Sequence, residues 1–194
     1  KNFMLSIRNK DLWCFWPTRV CVEFFDLPGN AVISGQYNFR LELDFAVKGT
    51  HGDKATIFSI LPIYTTLNYY NEHMSNVDVH TKDGMKWNDI KEVIKLNKKH
   101  KVTITNVANG AITIEIDNKV VFEGEGFSEE NDPQLIFGGG NFPYNEESLN
   151  YSDLDLYEFK LYKDEELISH HKFEEYIYDK SVDLTDNCNF IFKL

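Results

Sequence analysis

A chain of 194 residues with 42% hydrophobic content can bury a substantial core, and one β-sandwich of about 200 residues is its simplest division, so residues 1–194 read as a single domain. Its 31 acidic against 20 basic side chains leave a formal net charge of -11, which repels phosphate backbones and anionic membranes at long range and argues against nucleic acid as a partner. No apolar run is long enough to cross a bilayer, so membrane insertion is not expected, and Lys1-Asn2-Phe3-Met4-Leu5 lacks the marks of a signal peptide; a start at Lys1 is compatible with excision from a longer chain.

Val20, Val22 and Phe24 open the strand pattern and run into the turn signal Leu27-Pro28-Gly29-Asn30. Phe39, Leu41, Leu43, Phe45 and Val47 alternate with Arg40, Glu42, Asp44 and Ala46, so residues 38–47 form a strand with one face buried. The polar loop from Lys48 to Asp53 leads to a strand over 57–63, and Val77 with Val79 marks another short one. Ile90, Val93 and Ile94 fit a short helix behind Asn88-Asp89, while Ile94 and Leu96 also fit a strand; both readings stand. Val102 and Ile104, then Ile112, Ile114 and Ile116, repeat every second residue around Asn109-Gly110, a dipeptide that tolerates the positive φ of a tight hairpin. A second turn at Asp117-Asn118-Lys119 leads into Val120-Val121-Phe122. Leu135-Ile136-Phe137 follows, closed by Gly138-Gly139-Gly140, whose flexibility suits a bulge or rim turn. Phe159 and Leu161 begin a late strand, Lys163 to Leu167 form an exposed turn, and Phe173, Tyr176 and Tyr178 mark a C-terminal return. About ten short strands at this spacing specify an all-β, two-sheet antiparallel sandwich.

Cys14, Cys21 and Cys188 make no closed disulfide framework and no zinc-spaced pair. Reduced, buried thiols are the simplest state, with one bridge and one free thiol left open. Trp13, Phe15 and Trp16 read as N-terminal core packing.

Four segments in this order resemble the LamG-like jelly rolls of the concanavalin A-like lectin and glucanase superfamily. Residues 37–45 look like the family's early strand, opened by an aromatic residue. Val102 to Thr105 with Ile114 to Val121 is similar to its central hairpin. Leu135 to Gly139 followed by Asp155 to Tyr162 looks like its glycine-bearing late strand and penultimate strand. Lys172-Phe173-Glu174 with Asp179-Lys180-Ser181 is similar to its terminal strand and turn. The resemblance implies a concanavalin A-like jelly roll with its first and last strands adjacent, and functions ranging from sugar binding to polysaccharide cleavage to adhesion.

Glucanases of that superfamily carry Glu-x-Asp-x-x-Glu or Glu-x-Asp-x-Glu on a strand, placing a nucleophile and an acid beside the glycosidic bond. Glu42-Leu43-Asp44 and Glu115-Ile116-Asp117 lack the second glutamate. Asp153-Leu154-Asp155-Leu156-Tyr157-Glu158 begins with aspartate and reads as an acidic edge. His170 and His171 are adjacent, so on a strand they point to opposite faces and do not share one site. No catalytic residue is therefore assigned.

Sugar rings pair apolar CH faces with hydroxyls, so glycan sites combine aromatic platforms with polar hydrogen-bond partners. That mixture occurs in Tyr64, Asn68, Tyr69, Tyr70 and His73, read as a loop behind the Pro62 strand. It recurs at Trp87 with Asn88 and Asp89, read as a second loop, and at Asn141, Phe142, Tyr144 and Asn145 after the glycines. The resemblance implies structural calcium, for which the loop oxygens of Asp26, Asn30 and Asp132 are the candidates, beside Asp53, Asn131 and Asp153. The expected function is a noncatalytic, lectin-like carbohydrate-binding module, extracellular or surface-displayed, with glycan as partner. A protein-adhesion or self-assembly domain, marked by a large apolar or self-complementary patch, is one alternative. A polysaccharide hydrolase or lyase with carboxylates drawn from separate strands is another.

Overall fold

The computed structural model describes residues 5–7, 20–23, 37–51, 55–61, 65–71, 73–81, 84–108, 111–125, 134–137, 151–172, 176–178 and 190–193. Among them every regular element is a strand, and no helix is long and apolar enough to cross a membrane. The expected turns at Leu27-Pro28-Gly29-Asn30, Asn109-Gly110 and Asp179-Lys180-Ser181 lie outside the described residues, as do Phe24, Gly138-Gly139-Gly140 and Phe173.

The strands, in chain order, are β1 (Leu5–Ile7), β2 (Val20–Glu23), β3 (Phe39–His51), β4 (Ala55–Leu61), β5 (Thr65–Asn71), β6 (Met74–Thr81), β7 (Gly84–Ile90) and β8 (Lys99–Asn106). They continue as β9 (Ala111–Ile116), β10 (Lys119–Glu125), β11 (Gln134–Phe137), β12 (Tyr151–Lys163), β13 (Glu166–Lys172), β14 (Tyr176–Tyr178) and β15 (Phe190–Lys193). Two sheets result, of eight and seven strands among the described residues. The first runs β10-β9-β8-β3-β12-β1-β14, with β13 also on β12, and the second runs β15-β2-β11-β4-β5-β6-β7. Pairing is antiparallel except where β14 joins β1 and β15 joins β2 in parallel. N-terminal and C-terminal strands therefore meet in both sheets, although the first and last strands, β1 and β15, lie in different ones.

The sandwich assembles because each strand alternates. On β3, Leu41, Leu43 and Phe45 are buried while Arg40, Glu42 and Asp44 remain partly exposed. They meet Val102 and Ile104 of β8, Ile112, Ile114 and Ile116 of β9, and Leu67, Val77 and Val79 of the opposite sheet in one core. β12 would lose this phase, since Leu154 and Leu156 differ in parity from Phe159 and Leu161. A register shift between Leu156 and Glu158 restores it, the one-residue correction that a β-bulge provides. The two sheets are tied at one margin by Asn88, whose side-chain amide donates to the Val121 carbonyl of β10 at 3.2 Å.

Four expectations differ from the structure. β3 continues through His51, so Lys48 to His51 are strand and not polar loop. Residues 65–71 form β5, not a loop, and 84–90 form β7. The segment after Ile90 is neither helix nor strand. It turns with Glu92 at φ 57° and Asn97 at φ 62°, while buried Ile94 inserts into the core and the Asn97 N–H donates to the Val47 carbonyl at 2.8 Å.

Candidate functional site

The second sheet carries polar residues on the face turned away from the core. Register aligns Asn68 of β5 with Asn76 of β6 and Asn76 with Asp89 of β7. Asn68 and Asn76 are 0% and 2% exposed, so their amides need partners. The Asn68 amide donates to Asn76 Oδ1 at 2.9 Å, and the Asn76 amide donates to the Tyr70 hydroxyl at 3.1 Å. A register shift between Tyr69 and Asn71 sets Tyr70 apart from the regular ladder. The outcome is a half-buried tyrosine ring fixed through its hydroxyl.

Beyond Tyr70, where the chain reverses between Asn71 and Met74, the β5–β6 turn presents His73. The Asn71 side-chain oxygen accepts from the His73 and Met74 peptide N–H groups at 2.9 and 3.1 Å, which rigidifies the turn. Facing it, residues 91–98 close a cleft of about 400 Å³ lined by His73, Glu92, Lys95 and Leu96. Glu92 stands 3.7 Å from His73 Nδ1. A buried histidine holds the cleft's far wall: the Lys95 N–H donates to His100 Nε2 at 3.0 Å. The ring proton then sits on Nδ1, which donates to Asp117 Oδ2 at 2.5 Å.

The outer face of the eight-stranded sheet is ionic. Glu42, Asp44, Lys101, Glu158 and Lys160 line a shallow recess of about 10 Å³. Asp44 and Glu158 are direct cross-strand partners. Burial pushes the Asp44 carboxyl above its ordinary range, against the pull of Lys101 and Lys99. The His170 hydrogen bond, at 2.6 Å, draws Glu158 below its own, helped by Lys160. Two half-motifs that look incomplete along the chain, Glu42-Leu43-Asp44 and the acidic run ending in Glu158, thus become neighbours in space. Tyr157 and Tyr162 on this face are covered by Lys99 at 4.7 Å and Arg40 at 4.0 Å, so they are engaged as cation–π partners.

Of the residues expected to bind, Asn68 and Tyr70 join one hydrogen-bonded chain and His73 borders the cleft. Tyr69, at 3% exposed, belongs to the core instead. Trp87 lies within β7, across from Asp78. Tyr64, Asn141, Phe142, Tyr144 and Asn145, with the calcium candidates Asp26, Asn30 and Asp132, lie outside the described residues, as do Cys14, Cys188, Trp13, Phe15 and Trp16. Among the described residues no group of three or more His, Cys, Asp or Glu side chains gathers to hold a metal. Sequence reasoning missed Asn76, Lys95 and His100. His100 had a signal: it shares the alternation of Val102 and Ile104, a polar residue in a core series.

The two facing sheets and their strand order form a two-sheet antiparallel β-sandwich of the jelly-roll kind. No family model matches the sequence, and no curated protein sequence matches it. Solved structures do. A heptameric SAP-like pentraxin from Limulus polyphemus matches with a TM-score of 0.53 at 14% identity, over 87% of this chain and 78% of that one. Botulinum neurotoxin type C, described as dependent for cell entry upon interaction with two ganglioside molecules, matches at 0.53 and 15% identity, over 86% of this chain and 39% of that one. Alginate lyase AlgAT5 of polysaccharide lyase family 7 matches at 0.48 and 11% identity, over 66% of this chain. The match spans 59% of that lyase's length. These likenesses are likenesses of fold.

Proposed function

We propose that the chain is a noncatalytic carbohydrate-binding module whose ligand lies along the outer face of the seven-stranded sheet, from Tyr70 to the cleft at His73 and Lys95. The observation that carries this reading is the Asn68–Asn76–Tyr70 chain, which spends two buried amides on orienting one half-buried aromatic ring outside the core. Aromatic rings so held offer a sugar a platform at little conformational cost. The fold shared with a toxin whose cell entry depends on gangliosides, which are sugar-bearing lipids, supports it. Structural calcium at Asp26, Asn30 and Asp132 and display outside the cell complete the proposal. A glycan array probed with calcium and again with chelator tests both parts. Saturable binding is expected, weakened about tenfold in Tyr70→Ala with the melting temperature retained, and loss in chelator identifies the metal. A blank array from folded protein, or full affinity in Tyr70→Ala, overturns the reading.

Polysaccharide cleavage has one observation in its favour, the Asp44–Glu158 pair with proton affinities displaced in opposite directions. Release of new reducing ends from polyuronates or glucans, abolished in Glu158→Gln, would establish it over the binding reading.

A further inference from the structure

We propose that His100 is a positioning residue for the cleft, and that uptake of a second proton by its buried imidazole releases the wall formed by Lys95 and Leu96. The functional meaning of this device rests on the reading of the cleft as part of the glycan surface; its physical content does not.

The neutral ring already carries a proton on Nδ1, so a second one goes to Nε2, the atom that accepts from the Lys95 N–H at 3.0 Å. Protonation converts that acceptor into a donor facing a donor. The groups around the ring respond unequally. Asp117, from the β9–β10 turn, holds the Nδ1 side more tightly once the ring is charged. Its other oxygen stays bonded to the Lys101 N–H at 2.9 Å. From β3 comes the uncharged ring of Phe45, 6.0 Å away. On β8 itself, Lys99 and Lys101 are exposed and turn to Asp44, at 3.8 and 4.0 Å. In the loop, Glu92 stands 3.7 Å from His73 Nδ1, and the Lys95 side chain is exposed at the cleft. The mismatch therefore falls on the Lys95 peptide.

What moves is bounded by two anchors. Ile94 is 1% exposed in the core, and the Asn97 N–H is tied to the Val47 carbonyl at 2.8 Å. Between them lie only Lys95 and Leu96, the two loop residues that form the cleft wall together with Glu92. A proton on His100 is thus transmitted to the cleft and not to the hairpin turn on the ring's other side.

The test is nuclear magnetic resonance on the intact chain as pH is lowered across the range in which the chain stays folded. Imidazole nitrogen shifts report the state of His100, and amide hydrogen exchange, corrected for its intrinsic pH dependence, reports the loop. As His100 takes its proton, the Lys95 amide is expected to lose protection roughly tenfold, while the Asn97, Lys101 and Asp117 amides keep theirs. His100→Gln, with an amide oxygen in place of Nε2 and no titration, is expected to keep Lys95 protected throughout. Lys95 protection unchanged in the charged state, a ring that takes no second proton anywhere in the folded range, or the same loss in His100→Gln overturns the proposal. A blank glycan array removes the function proposed for the cleft and leaves the exchange result standing.

Discussion

Asp44 and Glu158 face one another across β3 and β12, yet the fold treats their charges oppositely. For Glu158, folding lowers the pKa through the His170 hydrogen bond first, then Lys160, against burial. Its contribution is therefore fully present above the unfolded value near 4.5 and is lost as pH falls through the folded one. For Asp44, burial raises the folded value above 3.8, so its contribution has the reverse slope: it is present below 3.8 and is lost as pH rises through the folded value. Urea denaturation of single variants separates the two. Glu158→Gln is expected to lower stability at pH 6, with the difference from the parent closing as pH drops below 4.5. Asp44→Asn is expected to raise stability at pH 6, and that gain closes below 3.8. Equal slopes for the two variants would show that the ion pairs of this face act as one averaged field rather than through the named contacts.

At the scale of elements, two hairpin turns of the same sheet use positive φ at both central residues, the requirement of a type I′ connection: Asp117 and Asn118 at 50° and 65°, Asp164 and Glu165 at 47° and 64°. Their side chains differ in what they do. Asp117 bonds both the Lys101 N–H and the His100 ring, whereas Glu165 pairs with Arg40 from a side chain that is 76% exposed, a contact that solvent weakens. Glu165→Gly is expected to stabilise the protein by about 0.5 kcal/mol as left-handed strain is relieved, and Asp117→Gly to destabilise it by about 2 kcal/mol as charge-assisted hydrogen bonds are lost; denaturation midpoints check both.

The Asp117-Asn118 turn, like β3, β8 and β9, was legible because an uninterrupted period of two leaves one reading. β5 was not. Thr65-Thr66-Leu67-Asn68-Tyr69-Tyr70-Asn71 places asparagine and tyrosine where a simple strand alternates polar with aliphatic, and the shift at Tyr70 breaks the period. What makes β5 unreadable as a strand, its buried Asn68 and offset Tyr70, is also what makes it the candidate site. β7 misleads for a different reason. As an edge strand rich in Asn, Asp and Lys it has little apolar patterning to display. Pairing of Asp44 with Glu158 was beyond sequence altogether, since it depends on a register set by the bulge in β12.

For the whole molecule, both sheets draw on one core, so damage to either is felt in both. Leu43 is 0% exposed at the middle of β3. Leu43→Ala is expected to cost about 2–5 kcal/mol, and hydrogen exchange is expected to show the same loss of protection in β5 and β6 as in β3 and β8. Loss confined to β3 and its sheet would mean that the layers unfold separately. The exposed large hydrophobic residues Met74, Leu96, Val107, Val120 and Leu167 fall on five different elements or turns, which distributes rather than concentrates stickiness on the described surface. The long strand β12 has a further consequence. One of its edges is shared, with β1 at residues 154–156 and β13 at residues 158–163. During synthesis β1 emerges some 150 positions ahead of its partner β12, and β2 likewise waits for β11 and β15. Contacts of such span make for slow folding and a prolonged interval of unpaired strand edges, so the incompletely paired chain is the stage at which aggregation competes most with folding.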